Sequence, residues 1–208
     1  VFHNTFYFYS SDRPQHTASA DGNYFVGNNE FKFGFSYRKA SVTSFSGLPG
    51  GAMMQANSYP NYIAYLYRDY NPATSGKYIA GYASDTFTKD RFTLNIGARW
   101  DYQAASLDAS TVGANPFAPN LLPQLTETAQ KDAIKWNTIT PRIGVTYAID
   151  EDRRTLARAS YSRFASQLAG GAASVLGTIQ YSAVYFYGVD TNRDKVIQAW
   201  MTLSRFVS

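Results

Sequence analysis

Two stretches of this chain alternate between apolar and polar positions with period two on either side of a short polar turn. They are 78–102, YIAGYASDTFTKDRFTLNIGARWDY, and 140–164, TPRIGVTYAIDEDRRTLARASYSRF. Phe92, Leu94, Ile96, Ala98, Trp100 and Tyr102 fall on one set of alternate positions, and Thr93, Asn95, Gly97, Arg99 and Asp101 on the other. Successive strand side chains point to opposite faces, so the pattern predicts antiparallel hairpins with one apolar face and one polar face. Phe31, Phe33, Phe35, Tyr37 and Lys39 alternate in the same way with Lys32, Gly34, Ser36 and Arg38. Further strands are expected over 2–9, 59–70 and 179–187, for a total of roughly seven to nine by this criterion.

The intervening segments predict the connections. Gly27-Asn28-Asn29, Thr88–Asp90 and Asp150–Arg153 read as short turns, and Asn71-Pro72 with Gly76 as another. Asp12–Gly22 reads as a polar loop, Ser44–Ser58 as a long Gly/Ser/Pro-rich loop, and 168–208 as a less regular tail. The longest connection runs from Gln103 to Asn137 and carries Asn115-Pro116, Pro119 and Pro123. Connections of that length are commonly functional. Long loops at one end and short turns at the other are the construction of outer-membrane barrels, with the long loops outside.

The fold class expected is all-β: an antiparallel transmembrane β-barrel, or a portion of one, over 1–208. Lipid-facing strands need about 9–11 residues with an apolar exterior and a polar interior. The chain has 208 residues and 16% aromatic content, with 17 Tyr and 14 Phe. Tyr suits a membrane boundary because its ring tolerates apolar surroundings while its hydroxyl stays wet. A mean hydropathy of −0.31 fits such a barrel, in which only alternate residues meet lipid. Trp100, Tyr102 and Trp136 stand near one end of their strands, as a membrane-boundary girdle would. A soluble aromatic-rich β-domain that binds sugar is the alternative on composition alone.

Candidate chemistry is sparse. The absence of Cys excludes disulfides, thiolate catalysis and Cys-ligated zinc. The two His residues, His3 and His16, are too few for a His-built zinc site, and no G-x-S-x-G, P-loop or dinucleotide motif occurs. No enzymatic activity and no cofactor are expected, with calcium as the one ion in view. The net charge of +4 comes from scattered basic residues, which does not favour nucleic acid. Asn95, Arg99, Asp101, Arg142 and Arg158 are the candidates to face a barrel lumen, either as ion pairs of its wall or as contacts for substrate. Asp190, Asn192 and Asp194 supply the oxygen spacing that opens a calcium loop. Lys195 stands where the turn requires Gly and Met201 where a bidentate Glu closes the site, so any such site is weak.

EFKFGFSYR, DTFTKDRFTLNIGARWDY and ITPRIGVTYAIDEDRRTLARASYSRF, in that order over 30–166, resemble TonB-dependent outer-membrane receptors, most closely the Oar-like group. The resemblance implies a bacterial outer-membrane receptor with lipid around its barrel and an extracellular ligand of unknown identity. It also implies a periplasmic TonB-type energising protein that acts through a plug. No plug or TonB box matches here, and family barrels close with 22 strands, so the chain reads as an internal portion of a receptor barrel or as a shortened relative. A small self-contained β-barrel, acting as an outer-membrane enzyme or as an adhesion or structural protein, is the rival reading.

Overall fold

In a computed structural model of the chain, residues 2–3, 7–58, 60–194 and 204–206 are described. The main sheet is antiparallel and curls into a half-barrel. It is built from β2 (Phe8–Asp12), β3 (Gln15–Val26), β4 (Asn29–Gly47), β7 (Ala73–Lys89), β8 (Phe92–Leu107), β11 (Gln130–Ala148) and β12 (Leu156–Ser162). The order is β12-β11-β8-β7-β4-β2, with β3 also on β4. β2 and β3 pair with successive lengths of β4 and are separated by Arg13 and Pro14, so together they form one edge.

A second sheet stands beyond the far end of the first. It runs β1-β5-β6-β13-β14, from β1 (Phe2–His3), β5 (Ala52–Ser58), β6 (Asn61–Arg68), β13 (Ser182–Val189) and β14 (Ser204–Phe206). A small ribbon, β9 (Ser110–Val112) with β10 (Leu125–Glu127), lies within the β8–β11 connection. The three tight connections, at 27–28, 90–91 and 149–155, lie at one end of the main sheet, and the long connections lie at the other.

The register assigns the faces. Directly opposed residues share a face, and the row Tyr24, Phe31, Asp85, Ile96, Ile143 and Tyr161 lies on one side. The neighbouring row on the other side is Asn23, Lys32, Ser84, Gly97, Arg142 and Ser162. The first face is exposed and apolar: Phe33 is 53% exposed, Ile96 50% and Ile139 62%. A face of this size left open in a folded chain marks a surface meant for an apolar environment. Asp85 is its one carboxylate between Phe31 and Ile96, and its Oδ1 is buried with no hydrogen-bond partner.

Several expected boundaries change. The stretch read as a polar loop, Asp12–Gly22, is mostly β3. Its outward positions His16, Ala18, Ala20 and Gly22 are largely small, so no hydrophobic period is visible. The bulk comes from β4 instead, where the Phe33 ring lies over Gly22, with its nearest ring atom 2.9 Å from where a Cβ would stand. Ser44–Ser58 is the end of β4, a 3₁₀ turn at Pro49–Gly51, and β5. Gly50 and Gly51 both take positive φ, 71° and 73°, which explains the Gly-rich composition without a loop. Gly76 lies inside β7 rather than in a turn. Residues 103–107 and 130–137 of the stretch read as the long loop belong to β8 and β11. Expectations for 195–203 and 207–208 lie outside the described residues.

The turn 149–155 is held by Asp150, whose carboxylate accepts from Arg154 N–H at 2.7 Å and from Thr155 N–H at 3.0 Å. These bonds, the one from Thr155 first, hold the Asp150 carboxyl below its ordinary value. A depressed carboxylate contributes stability above the unfolded pKa, which is lost as pH falls through the folded one. An acid titration followed by NMR is expected to release the Arg154 and Thr155 amide shifts only below the usual Asp midpoint of about 3.9. Asp150→Asn is expected to remove that transition.

Candidate functional site

The polar face of the curled sheet carries two adjoining open hollows of about 480 and 510 Å³. Arg99 and Arg142 line both; Asp101 lines the first and Asn95 the second. Four of the five expected inward residues are therefore brought together. Arg158 shares their face through its pairing with Thr146, is exposed, and lines neither cavity.

β8 positions Arg99 and Asp101 two residues apart on one face, and they pair along the strand. Arg99 Nε donates to Asp101 Oδ1 at 2.9 Å and to Oδ2 at 3.0 Å. Because the Arg99 side chain is 37% exposed, the pair is partly screened by water and orients the guanidinium more than it stabilises the fold. Arg142 lies 5.3 Å from the Phe164 ring centre and Arg38 lies 4.1 Å over Tyr78. Such stacking holds a guanidinium in place while leaving its N–H donors available. Thr86 donates to Asn95 across the β7–β8 pair at 2.8 Å.

After β12 the chain folds back across this polar face. Gln103 grips it from below, donating from Nε2 to Ser166 O at 3.1 Å and accepting from Leu168 N–H at 2.7 Å. Tyr78 OH donates to Leu168 O at 2.7 Å. The 3₁₀ segment Gly170–Leu176 follows, and Leu168 and Ala173 pack on Ala105 and Leu107. Arg38, Tyr78, Gln103, Phe164 and Gln167 also line the site, beyond the residues expected from the sequence. Strand parity was the signal for Arg38 and Gln103, since each sits on the polar positions of its strand.

The second sheet extends the polar face at the mouth. The bridge Ser46↔Tyr70 puts Tyr70 on the same side as Arg38 and the other inward residues of β4. Tyr70 meets Tyr181, which meets Tyr67 and Tyr7, and Tyr67 and Tyr65 lie nearly parallel, with centroids 6.5 Å apart. Burial pushes the Tyr67 and Tyr181 hydroxyls upward, so both stay protonated donors at physiological pH. The opposite side of this sheet is a core of Ala52, Met54, Tyr62, Ala64, Leu66 and Phe186, covered by Ala118 and Leu122 of the β8–β11 connection. That connection therefore braces the tyrosine face from behind.

Trp100 and Tyr102 lie on the apolar face, with Trp100 Nε1 donating to Asn137 Oδ1 at 2.6 Å. Trp136 is opposite Gln103 and so lies on the polar side, which separates it from the expected girdle. Asp190 is 1% exposed, and its N–H donates to Pro60 O. Asn192 and Asp194 are exposed, and the Asn192 amide donates to Asp194 at 2.8 Å. Among the described residues no group of three or more His, Cys, Asp or Glu gathers as metal ligands. No described helix is long and apolar enough to cross a membrane, which leaves crossing by strands open.

Among known families, a model described as TonB dependent receptor-like, beta-barrel, matches residues 2–194. No curated protein and no solved structure matches the chain.

Proposed function

Because this chain belongs to the TonB-dependent receptor-like β-barrels, a family of outer-membrane transporters rather than enzymes, we propose that it forms part of the wall of a ligand-uptake passage. The observation that carries this reading is the division of one sheet into an exposed apolar face and a polar face lined by Arg38, Arg99, Asp101 and Arg142. The apolar side meets outer-membrane lipid, and the polar side faces the moving ligand or a plug supplied from outside the described residues. The tyrosine face at the mouth, braced by the 108–129 connection, is the capture surface for an extracellular ligand. A periplasmic TonB-type protein supplies the energy. Any calcium at Asp190, Asn192 and Asp194 is held with further ligands borrowed from elsewhere, at the weak affinity of about 10⁻⁴–10⁻³ M typical of extracellular modules.

The test is depletion profiling of the growth medium by mass spectrometry. Cells carrying the native gene, its deletion, and a deletion of the energising protein are compared. A receptor removes at least one compound from the medium, and either deletion restores that compound. Identical media from all three strains would contradict the transport reading.

A further inference from the structure

One segment of chain stands between the tyrosine mouth and the two hollows. The inward positions of β8 run from Asn95 through Arg99, Asp101 and Gln103 to Ala105 and Leu107. Gln103 is level with Tyr78 and Arg38, and Leu107 with Thr74 and Val42, while Ser46 and Tyr70 lie further out. The hollows occupy the first part of that order, from Asn95 to Gln103. Beyond them Leu168 and Ala173 rest on Ala105 and Leu107. The 3₁₀ segment Gly170–Leu176 lies against β4, β7, β8 and β11. Residues 164–178 therefore form a strap across the polar face, on the path from mouth to hollow.

The strap is pinned at its ends and lightly held between them. At one end Arg163 N–H donates to Pro141 O at 3.1 Å. At the other, Thr178 donates from both its N–H and its hydroxyl to Glu127 Oε2. Glu127 is buried on the β9–β10 ribbon. Residues 164–181 belong to no strand. Between the pins, among the described residues, the sheet grips the strap through three hydrogen bonds, two to the Gln103 amide and one from Tyr78 OH. Leu168 and Ala173 are the buried residues of that stretch. A segment with few buried contacts and no strand ladder opens at a lower free energy than the sheet beneath it. Phe164, Ala165 and Gln167 line the first hollow, so a ligand seated there touches the strap.

We propose that residues 164–178 are an inner gate of the passage, with Gln103 as its latch. The strap lifts off Ala105 and Leu107 to let a ligand move from the tyrosine mouth into the arginine-lined hollow. Both bonds of the latch come from one amide, so rotation of a single side chain releases them together. The pins at Pro141 and Glu127 keep the strap attached while its middle moves. The gate is part of the wall itself and works beneath the capture surface rather than over it. This rests on the reading that the polar face lines an uptake passage.

The experiment uses the native gene in cells, with depletion of compounds from the medium as the readout. Ala105 and Ala173 are fully buried in one cluster, and the 208 residues contain no cysteine. Replacing both alanines by cysteine lets oxidation tie the strap to β8. With the disulfide verified by mass spectrometry, the oxidised A105C/A173C strain is expected to lose depletion of the compound and to regain it on reduction. Neither single-cysteine strain is expected to respond to oxidation. Depletion by the oxidised double variant at its reduced rate overturns the gate alone. A wild-type strain that depletes nothing overturns the transport reading beneath it. Hydrogen exchange of the full chain in dodecyl maltoside tests the latch separately. Gln103→Ala is expected to speed exchange of the Ala173 amide about tenfold, the effect of losing two neutral hydrogen bonds, and to leave β7 and β8 unchanged. Ala173 is buried against the sheet and is not bonded to Gln103, so it reports lifting of the strap rather than the lost bonds themselves. Unchanged exchange at Ala173 overturns the latch, and faster exchange throughout β7 and β8 overturns it as a local device.

Discussion

Replacing Phe33 with arginine is expected to destabilise the folded sheet in a lipid bilayer by about 2–4 kcal/mol, the cost of an arginine on the lipid face of a barrel at mid-depth. Phe33 is 53% exposed, lies in the middle row of the apolar band, and covers Gly22 of the neighbouring strand. The same substitution at Ile96 is expected to cost less. Ile96 lies directly opposite Asp85, whose carboxylate has an oxygen with no hydrogen-bond partner and would accept the new guanidinium. Guanidinium unfolding in phosphatidylcholine vesicles, followed by tryptophan fluorescence, gives both values. Equal losses at the two positions would contradict the placement of Asp85.

Asn115→Ala is expected to lower the stability of the mouth by about 2–4 kcal/mol, since buried groups left without partners cost about 1–3 kcal/mol each. Asn115 is 2% exposed and uses its whole side chain. Its Nδ2 donates to Gly51 O at 2.7 Å and Tyr67 O at 2.8 Å, and its Oδ1 accepts from Phe117 N–H and Ala118 N–H. One amide thus fastens the 108–129 connection to β6 and to the 3₁₀ turn, and sets Ala118 against the core of the second sheet. Hydrogen exchange is expected to speed up across β5, β6 and β13 in this variant and to stay unchanged in β7 and β8. Uniform acceleration over both sheets would show that Asn115 supports the whole fold rather than the mouth.

The two hairpins and β4 were legible because each of their faces announces itself. Phe31, Phe33 and Phe35, or Leu94, Ile96 and Trp100, are large apolar groups set against polar neighbours. β3 was not legible because its outward positions are small, and the apolar cover comes from Phe33 on another strand. No single strand's sequence records what its neighbour contributes. Arg99, Asp101 and Arg142 could be found for the same reason as the hairpins, by parity. Their companions Tyr78, Phe164 and Gln167 could not, because a chain segment returning over the sheet brings the last two into place. Trp136 was grouped with Trp100 by its nearness to the strand end. It is three residues from Ile139, which opposes Trp100, and an odd separation puts it on the other face.

The central claim is that one face of this sheet meets lipid and the other meets a water-filled passage. The chain has no native cysteine, so a single introduced cysteine can carry a nitroxide label at a chosen site. Labels at Asn95 and at Ile96, adjacent residues on opposite faces of β8, are compared in phosphatidylcholine bilayers by electron paramagnetic resonance. The label at 96 is expected to be relaxed mainly by oxygen, which concentrates in lipid, and the label at 95 mainly by a water-soluble nickel chelate. Equal access of the nickel chelate to both labels would contradict it.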